Sequence, residues 1–285
     1  MVHRSTSDTI VAQATPLGRS GIAVIRLSGP QALKLIRYLI GDSTWQPEPR
    51  HTYLKYLQNP ANSQLIDKAL ICFYAAPHSF TGEDVIEISC HGSPVLISNI
   101  IDALLISDAR IADPGEFTLR ALSHGKLDLS QAEAIRDLIN AQTNAAAKQA
   151  LRQLSGELSA RIEPMRVALV EIIVPLESSL EFVEDDLPTA SAELISEKLQ
   201  NLLSKLEKLA DTFRSGKLLK DGLKVTLAGQ PNVGKSSVFN RLLEDERAIV
   251  TSIPGTTRDS LGEPVSINGI PVLLTDTAGL QTLMI

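Results

Sequence analysis

The chain has 285 residues, 44% apolar and 21% charged, a globular composition with room for two or three domains. Its 27 Lys and Arg against 33 Asp and Glu give a net charge of −6. That is a poor basis for non-specific nucleic-acid binding, so contact with RNA would need a local basic groove or a partner. No apolar run nears the ~18 residues of a membrane span. Residues 1–8 put no apolar core behind their charge, as a secretory signal would. Cys72 and Cys90 are too few for a disulfide framework and read as small buried hydrophobes. The five histidines show no metal-ligand spacing, and no zinc site is expected. A reducing cytoplasm fits these features.

In chain order, the first ~120 residues read as α+β. Residues 21–28 form a strand-like run, and a helix is expected from Pro30 with Leu33, Ile36, Leu39 and Ile40 on one face. Residues 69–75 and 85–90 are further strand candidates and 94–106 a helix, with turn signals at Ser28-Gly29-Pro30, Asn59-Pro60 and Asp113-Pro114-Gly115. Ser130 and Glu133 then have the spacing of a capping box. Beyond it Ala, Leu, Gln and Glu dominate, which favours long helices. Ile195, Leu199, Leu202, Leu206, Leu209 and Phe213 make one apolar stripe, expected to pack in a core. Glu177, Glu181, Glu184, Asp185 and Asp186 are expected in a solvated loop between helices. From Gly222 a strand, a Gly-rich turn and a helix from Lys235 read as the first unit of a nucleotide-binding sheet. The expected division is an α+β domain over 1–120, a helical domain over 121–218 and an incomplete α/β P-loop domain over 219–285.

The turn itself, Gly229-Gln230-Pro231-Asn232-Val233-Gly234-Lys235-Ser236, matches G-x-x-x-x-G-K-[ST]. Its glycines let backbone N–H groups point inward at phosphate oxygens, and the following helix adds its positive end. Lys235 is placed to reach the β- and γ-phosphates and Ser236 to offer a hydroxyl to Mg²⁺. Downstream, an apolar run over 271–275 ends in Asp276-Thr277-Ala278-Gly279. A carboxylate at the carboxyl end of such a strand lies beside the phosphate crevice. Between them, Thr251-Ser252-Ile253-Pro254-Gly255-Thr256-Thr257-Arg258-Asp259 has the make-up of a switch loop whose hydroxyl joins the metal when a γ-phosphate is present.

These three motifs resemble the Era-like group of translation-factor-type GTPases. The amino-terminal strings narrow the resemblance to the MnmE (TrmE) family of tRNA modification GTPases. They are residues 8–16, Phe80-Thr81-Gly82-Glu83-Asp84-Val85, His91-Gly92, Pro114-Gly115-Glu116-Phe117 and residues 126–134. The resemblance implies a folate-binding, dimerising amino-terminal domain, a helical domain and an inserted GTPase domain. It further implies action with the FAD-dependent partner MnmG, installing a carboxymethylaminomethyl-type group on carbon 5 of the wobble uridine of certain tRNAs. Contact with tRNA would come through that complex. A tetrahydrofolate derivative such as 5-formyltetrahydrofolate is the implied one-carbon carrier, with contacts at Arg26, Glu87 and Lys126. GTP or GDP contacts are implied at Asn232, Val233, Gly234, Lys235, Ser236 and Ser237, through the loop from Thr251 to Thr257, and at Asp276, Thr277, Ala278 and Gly279. Mg²⁺ maps to Ser236 and Thr257, and K⁺ to Asn232, Thr251, Ile253 and Thr256.

The family's switch glutamate and its guanine-reading N-K-x-D motif fall beyond Ile285, and Gln281 stands where an arginine is expected. GTP hydrolysis by these 285 residues is therefore expected to be impaired. Two other readings stay open: a non-catalytic folate-binding dimer, or another Era-like P-loop GTPase such as a ribosome-assembly factor.

Overall fold

The computed structural model describes residues 8–181, 192–228, 234–245 and 262–276. The chain divides into two compact units, Met1–Asp128 and Leu129–Ile285.

The first unit runs β1 (Thr9–Gln13), β2 (Ser20–Ser28), α1 (Ala32–Ile40), β3 (Thr52–Gln58), β4 (Leu65–Tyr74), β5 (Val85–Gly92), α2 (Pro94–Ile106), β6 (Ala109–Ile111) and α3 (Glu116–Ser123). The six strands form one sheet in the order β3-β4-β5-β2-β1-β6. Neighbours are antiparallel except β1 and β6, which are parallel. Strand side chains alternate between faces. Ala23, Ile25 and Leu27 of β2, Ala69, Ile71 and Phe73 of β4 and Ile86, Ile88 and Cys90 of β5 are buried in one cluster. Ala32, Leu35, Ile36 and Leu39 of α1 and Ile97, Ile100, Ala103 and Leu104 of α2 complete it, so both helices cover this face. Each such Ile or Leu contributes about 1.5–3 kcal/mol on burial. Cys90 is indeed a buried small hydrophobe, whereas Cys72 is only half-buried. The α1 stripe is turned from the expected one: Leu35 is fully buried, while Leu33 and Ile40 pack at the cluster's edge. β1, β3 and β6 were not among the expected strands; β6 is only three residues long and takes its place from pairing with β1.

The second unit runs α4 (Leu129–Ile139), α5 (Asn144–Leu154), α6 (Glu157–Glu181), α7 (Ala192–Asp211), α8 (Phe213–Asp221), β7 (Leu223–Leu227), α9 (Lys235–Asp245), β8 (Gly262–Ile267) and β9 (Ile270–Asp276). Three expectations need correction here. Ser130 is no N-cap: α4 already begins at Leu129, and the Ser130 hydroxyl is buried without a hydrogen-bond partner. The N-cap that does form is Thr143, whose hydroxyl accepts from the Ala146 N–H at 3.1 Å. The α7 stripe is not a core: no residue of that helix is buried, and Leu199 and Leu206 are exposed. α7 packs mainly on α6 and α8, and so few neighbours cannot cover a stripe that winds around five turns or more. Glu177 and Glu181 belong to α6, not to a loop; Glu184, Asp185 and Asp186 lie outside the described residues. No helix among the described residues is long and apolar enough to cross a membrane.

β7 and β9 pair in parallel, and β8 adds to β9 antiparallel. Val265, Val272 and Leu274 are buried beneath Phe239 and Leu242 of α9. Those two are three residues apart, on one helix face. Gly222 turns the chain from α8 into β7 with φ of +70°. A Cβ there would meet the Pro271 carbonyl oxygen at 2.4 Å, so only glycine fits.

Candidate functional site

On the sheet face opposite α1 and α2, strand register sets Arg26 of β2 and Cys72 of β4 on either side of Glu87 of β5. Arg26 donates to Glu87 Oε1 from Nε at 2.9 Å and from Nη2 at 2.6 Å. The Tyr74 hydroxyl donates to Glu87 Oε2 at 3.4 Å. Hydrogen bonding with Cys72, burial and the Glu87 charge together push the Tyr74 hydroxyl up to about 12, so it stays a donor. The Arg26 guanidinium carbon lies 5.7 Å from the Phe80 ring centre and 5.9 Å from that of Phe117. The ion pair is neither buried nor fully solvated, with side chains 29% and 26% exposed. A cation, a carboxylate and two aromatic faces are thus gathered at a solvent-reachable point.

Of the three folate residues named from the resemblance, Arg26 and Glu87 touch. Lys126 does not join them; it donates from Nζ to the Pro77 carbonyl at 2.9 Å. Pro77 and Phe80 share the loop between β4 and β5, so Lys126 fastens the same loop that carries one of the two rings.

A charge network holds the two rings in place. Arg120 of α3 is buried, its side chain 3% exposed. Its Nη1 donates to the Asp8 carbonyl at 2.8 Å and to Glu83 at 3.0 and 3.1 Å. Its Nη2 donates to Asp8 Oδ1 at 2.6 Å and Glu116 Oε1 at 3.1 Å. Arg110 of β6 binds Asp8 Oδ2 at 2.5 Å and grips both Glu116 oxygens. Ser28 donates to Glu83 at 2.6 Å. The network ties the entry to β1, the β4–β5 loop, β6 and α3 together. Phe117 follows Glu116 directly, and Phe80 precedes the Thr81 hydroxyl that meets Ser28 at 2.7 Å. Sequence reasoning missed Asp8, Arg110 and Arg120, because partners up to 112 positions apart leave no local spacing to read. It also missed Asp67, a buried carboxylate that holds the exposed His91 ring at Nδ1 by 2.7 Å.

The network predicts an acid response. The hydrogen bonds from Arg110 pull the Glu116 carboxyl from 4.5 down to about 2. A lowered folded-state value stabilises the fold above the unfolded value and loses that contribution as pH falls through the folded one. The melting temperature should therefore drop between about pH 4.5 and pH 2, and Glu116→Gln should drop less over that window from a lower start. Parallel melting curves at pH 7, 4 and 2.5 decide it; equal slopes would remove Glu116 from the account.

In the second unit a strand and a helix flank the motif, while its residues 229–233 lie outside the described residues. β7 ends at Leu227, α9 begins at Lys235, and Leu227 is in register with Asp276, the last residue of β9. Asp276 is thus placed at the carboxyl end of the parallel pair. Gly234 precedes the helix with φ of +93° and accepts the Val238 N–H at 3.0 Å. Lys235, Ser236 and Ser237 occupy the first turn of α9. Asn232, Val233, the loop Thr251-Ser252-Ile253-Pro254-Gly255-Thr256-Thr257, and Thr277, Ala278 and Gly279 lie outside the described residues. The proposed K⁺ positions are all among them, as is Thr257 of the Mg²⁺ pair.

Comparison with known proteins bears on both units. The family model for the GTP-binding protein TrmE N-terminus matches residues 9–126, and that for the MnmE helical domain matches residues 129–282. The tRNA modification GTPase MnmE of Koribacter versatilis is 45% identical over 276 residues, that of Aquifex aeolicus 43% over 274, and that of Nitrosomonas europaea 46% over 278. These alignments cover 96–97% of the chain but only 60–61% of each relative. The two matched segments lie side by side, the second spans more than half of the chain, and the chain belongs to the MnmE (TrmE) family.

Proposed function

We infer that the chain binds a guanine nucleotide and a reduced folate, and serves tRNA modification at carbon 5 of the wobble uridine together with the FAD protein MnmG. The partly exposed Arg26–Glu87 pair, its guanidinium within 6 Å of two phenyl ring centres, carries the folate part. The pyrimidine ring of a reduced pterin is flat and offers two N–H donors along one edge, which suits a carboxylate beside aromatic faces. Its glutamate tail is anionic and suits Arg26 or Lys126. The bound folate supplies a one-carbon unit; the chain's residues orient it and hold its charges. Relatives named tRNA modification GTPase and the phosphate-loop motif support the nucleotide part. There Lys235 offers its ammonium to phosphate, Ser236 and Thr257 suit Mg²⁺, and Asn232, Thr251, Ile253 and Thr256 suit K⁺. A cation beside the phosphates offsets charge that develops on transfer. The homodimer, the cytoplasmic setting and delivery of tRNA through the MnmG complex belong to the same reading.

Calorimetry with 5-formyltetrahydrofolate tests it. One site per chain is expected, and Glu87→Ala should weaken it roughly tenfold or more, the scale of a charge-assisted hydrogen bond. No heat at high protein concentration, or an unchanged affinity in Glu87→Ala, overturns the folate assignment.

A further inference from the structure

The Arg26 guanidinium shares its chemistry with the head of a pterin. It is a flat group of one carbon and three nitrogens, and it presents two N–H donors, Nε and Nη2, to a single carboxylate oxygen of Glu87. The 2-amino-4-oxo ring of a pterin contains the same unit, a carbon bonded to three nitrogens with adjacent N–H donors, fused into a larger plane. In the protein that unit is within 6 Å of both phenyl ring centres, at 5.7 and 5.9 Å. The Tyr74 hydroxyl meanwhile points at Oε2, the other Glu87 oxygen. The surrounding groups are thus arranged for a planar guanidine-like donor. Arg26 reaches them from a strand position directly opposite Glu87, on a long side chain that is 29% exposed.

We propose that Arg26 is a stand-in occupant of the ligand's head-group site, and that binding exchanges it. The pterin edge takes the Glu87 carboxylate and stacks on Phe80 and Phe117, while the freed guanidinium turns to the anionic tail. This rests on the folate reading above and adds a division of labour within it. Glu87, Phe80 and Phe117 select the head, and Arg26 selects the tail while competing for the head's place. An ordinary contact residue would aid every ligand that reaches it, whereas a stand-in opposes ligands that have a head and no tail.

The test compares 5-formyltetrahydrofolate with the tail-less 6-methyltetrahydropterin, each titrated into the full chain and into Arg26→Ala, Phe80→Ala and Phe80→Tyr. Arg26→Ala should weaken 5-formyltetrahydrofolate roughly tenfold and tighten 6-methyltetrahydropterin several-fold, because the competing cation is gone. Phe80→Ala should weaken both by about three- to tenfold and Phe80→Tyr should restore both, the scale and signature of aromatic stacking. If Arg26→Ala weakens both ligands alike, Arg26 is a direct head contact and the exchange is wrong. If Phe80→Ala leaves both unchanged, the rings are not the platform and the proposal fails there. If wild-type chain binds neither ligand, the folate reading itself fails and takes the exchange with it. A far-ultraviolet circular dichroism spectrum of each variant that matches wild type assigns any loss to the site.

Discussion

Lys235→Ala is expected to abolish binding of a fluorescent GDP analogue at micromolar protein. In the proposed reading the ammonium is the point charge offered to the β- and γ-phosphates. Hydrogen bonds to charged groups contribute about 1.5–3 kcal/mol each, so losing two costs on the order of 10²- to 10⁴-fold in affinity. Lys235 opens α9 in the second unit, whereas Arg26 and Glu87 belong to the first. Heat from 5-formyltetrahydrofolate should therefore survive the substitution. Equal loss at both sites would mean that the chain had unfolded, and retained nucleotide binding would mean that the loop does not hold phosphate.

Arg120→Met should have the largest effect on stability. Methionine matches much of the arginine's volume and donates nothing. Asp8 and Glu116 would then keep Arg110 as counter-charge, and Glu83 would lose its Arg120 partner and keep the Ser28 hydroxyl, with Glu83 10% and Glu116 11% exposed at the side chain. Breaking a buried ion pair from one side costs about 3–5 kcal/mol, because a charge is left uncompensated. Urea unfolding followed by tryptophan fluorescence measures it for the first unit alone. Trp45 is the chain's one tryptophan and packs in that unit's core. A loss below about 1 kcal/mol would show the network to be solvated and worth little.

The parts legible in the sequence were those with a local signature. β2, β4, β5 and α2 appear where alternation or helical period announces them, and α2 begins at Pro94 and ends at Ile106 as read. β7 and α9 were legible because a short apolar run and a helix opening at Lys235 flank the Gly-rich motif, whose residues 229–233 lie outside the described residues. What the sequence hid was non-local. β6 is a strand by virtue of β1. The Ser130 capping box failed because a helix that starts one residue earlier takes its serine inside. The α7 stripe has a correct period, but period says which face is apolar and not what covers it. At the candidate site, resemblance supplied Arg26 and Glu87, yet Phe80 and Phe117 were read only as parts of motifs. Their role beside Arg26 depends on a network that joins Asp8 to Arg110 and Arg120, and nothing in their spacing connects these residues.

The most direct measurement is a double titration of the wild-type chain in calorimetry: 5-formyltetrahydrofolate to saturation, then GDP with Mg²⁺. The account predicts two separate binding events, one folate and one nucleotide per chain, with the first removed by Glu87→Ala and the second by Lys235→Ala. A chain that gives nucleotide heat but none with the folate, or whose folate heat survives Glu87→Ala, would contradict it.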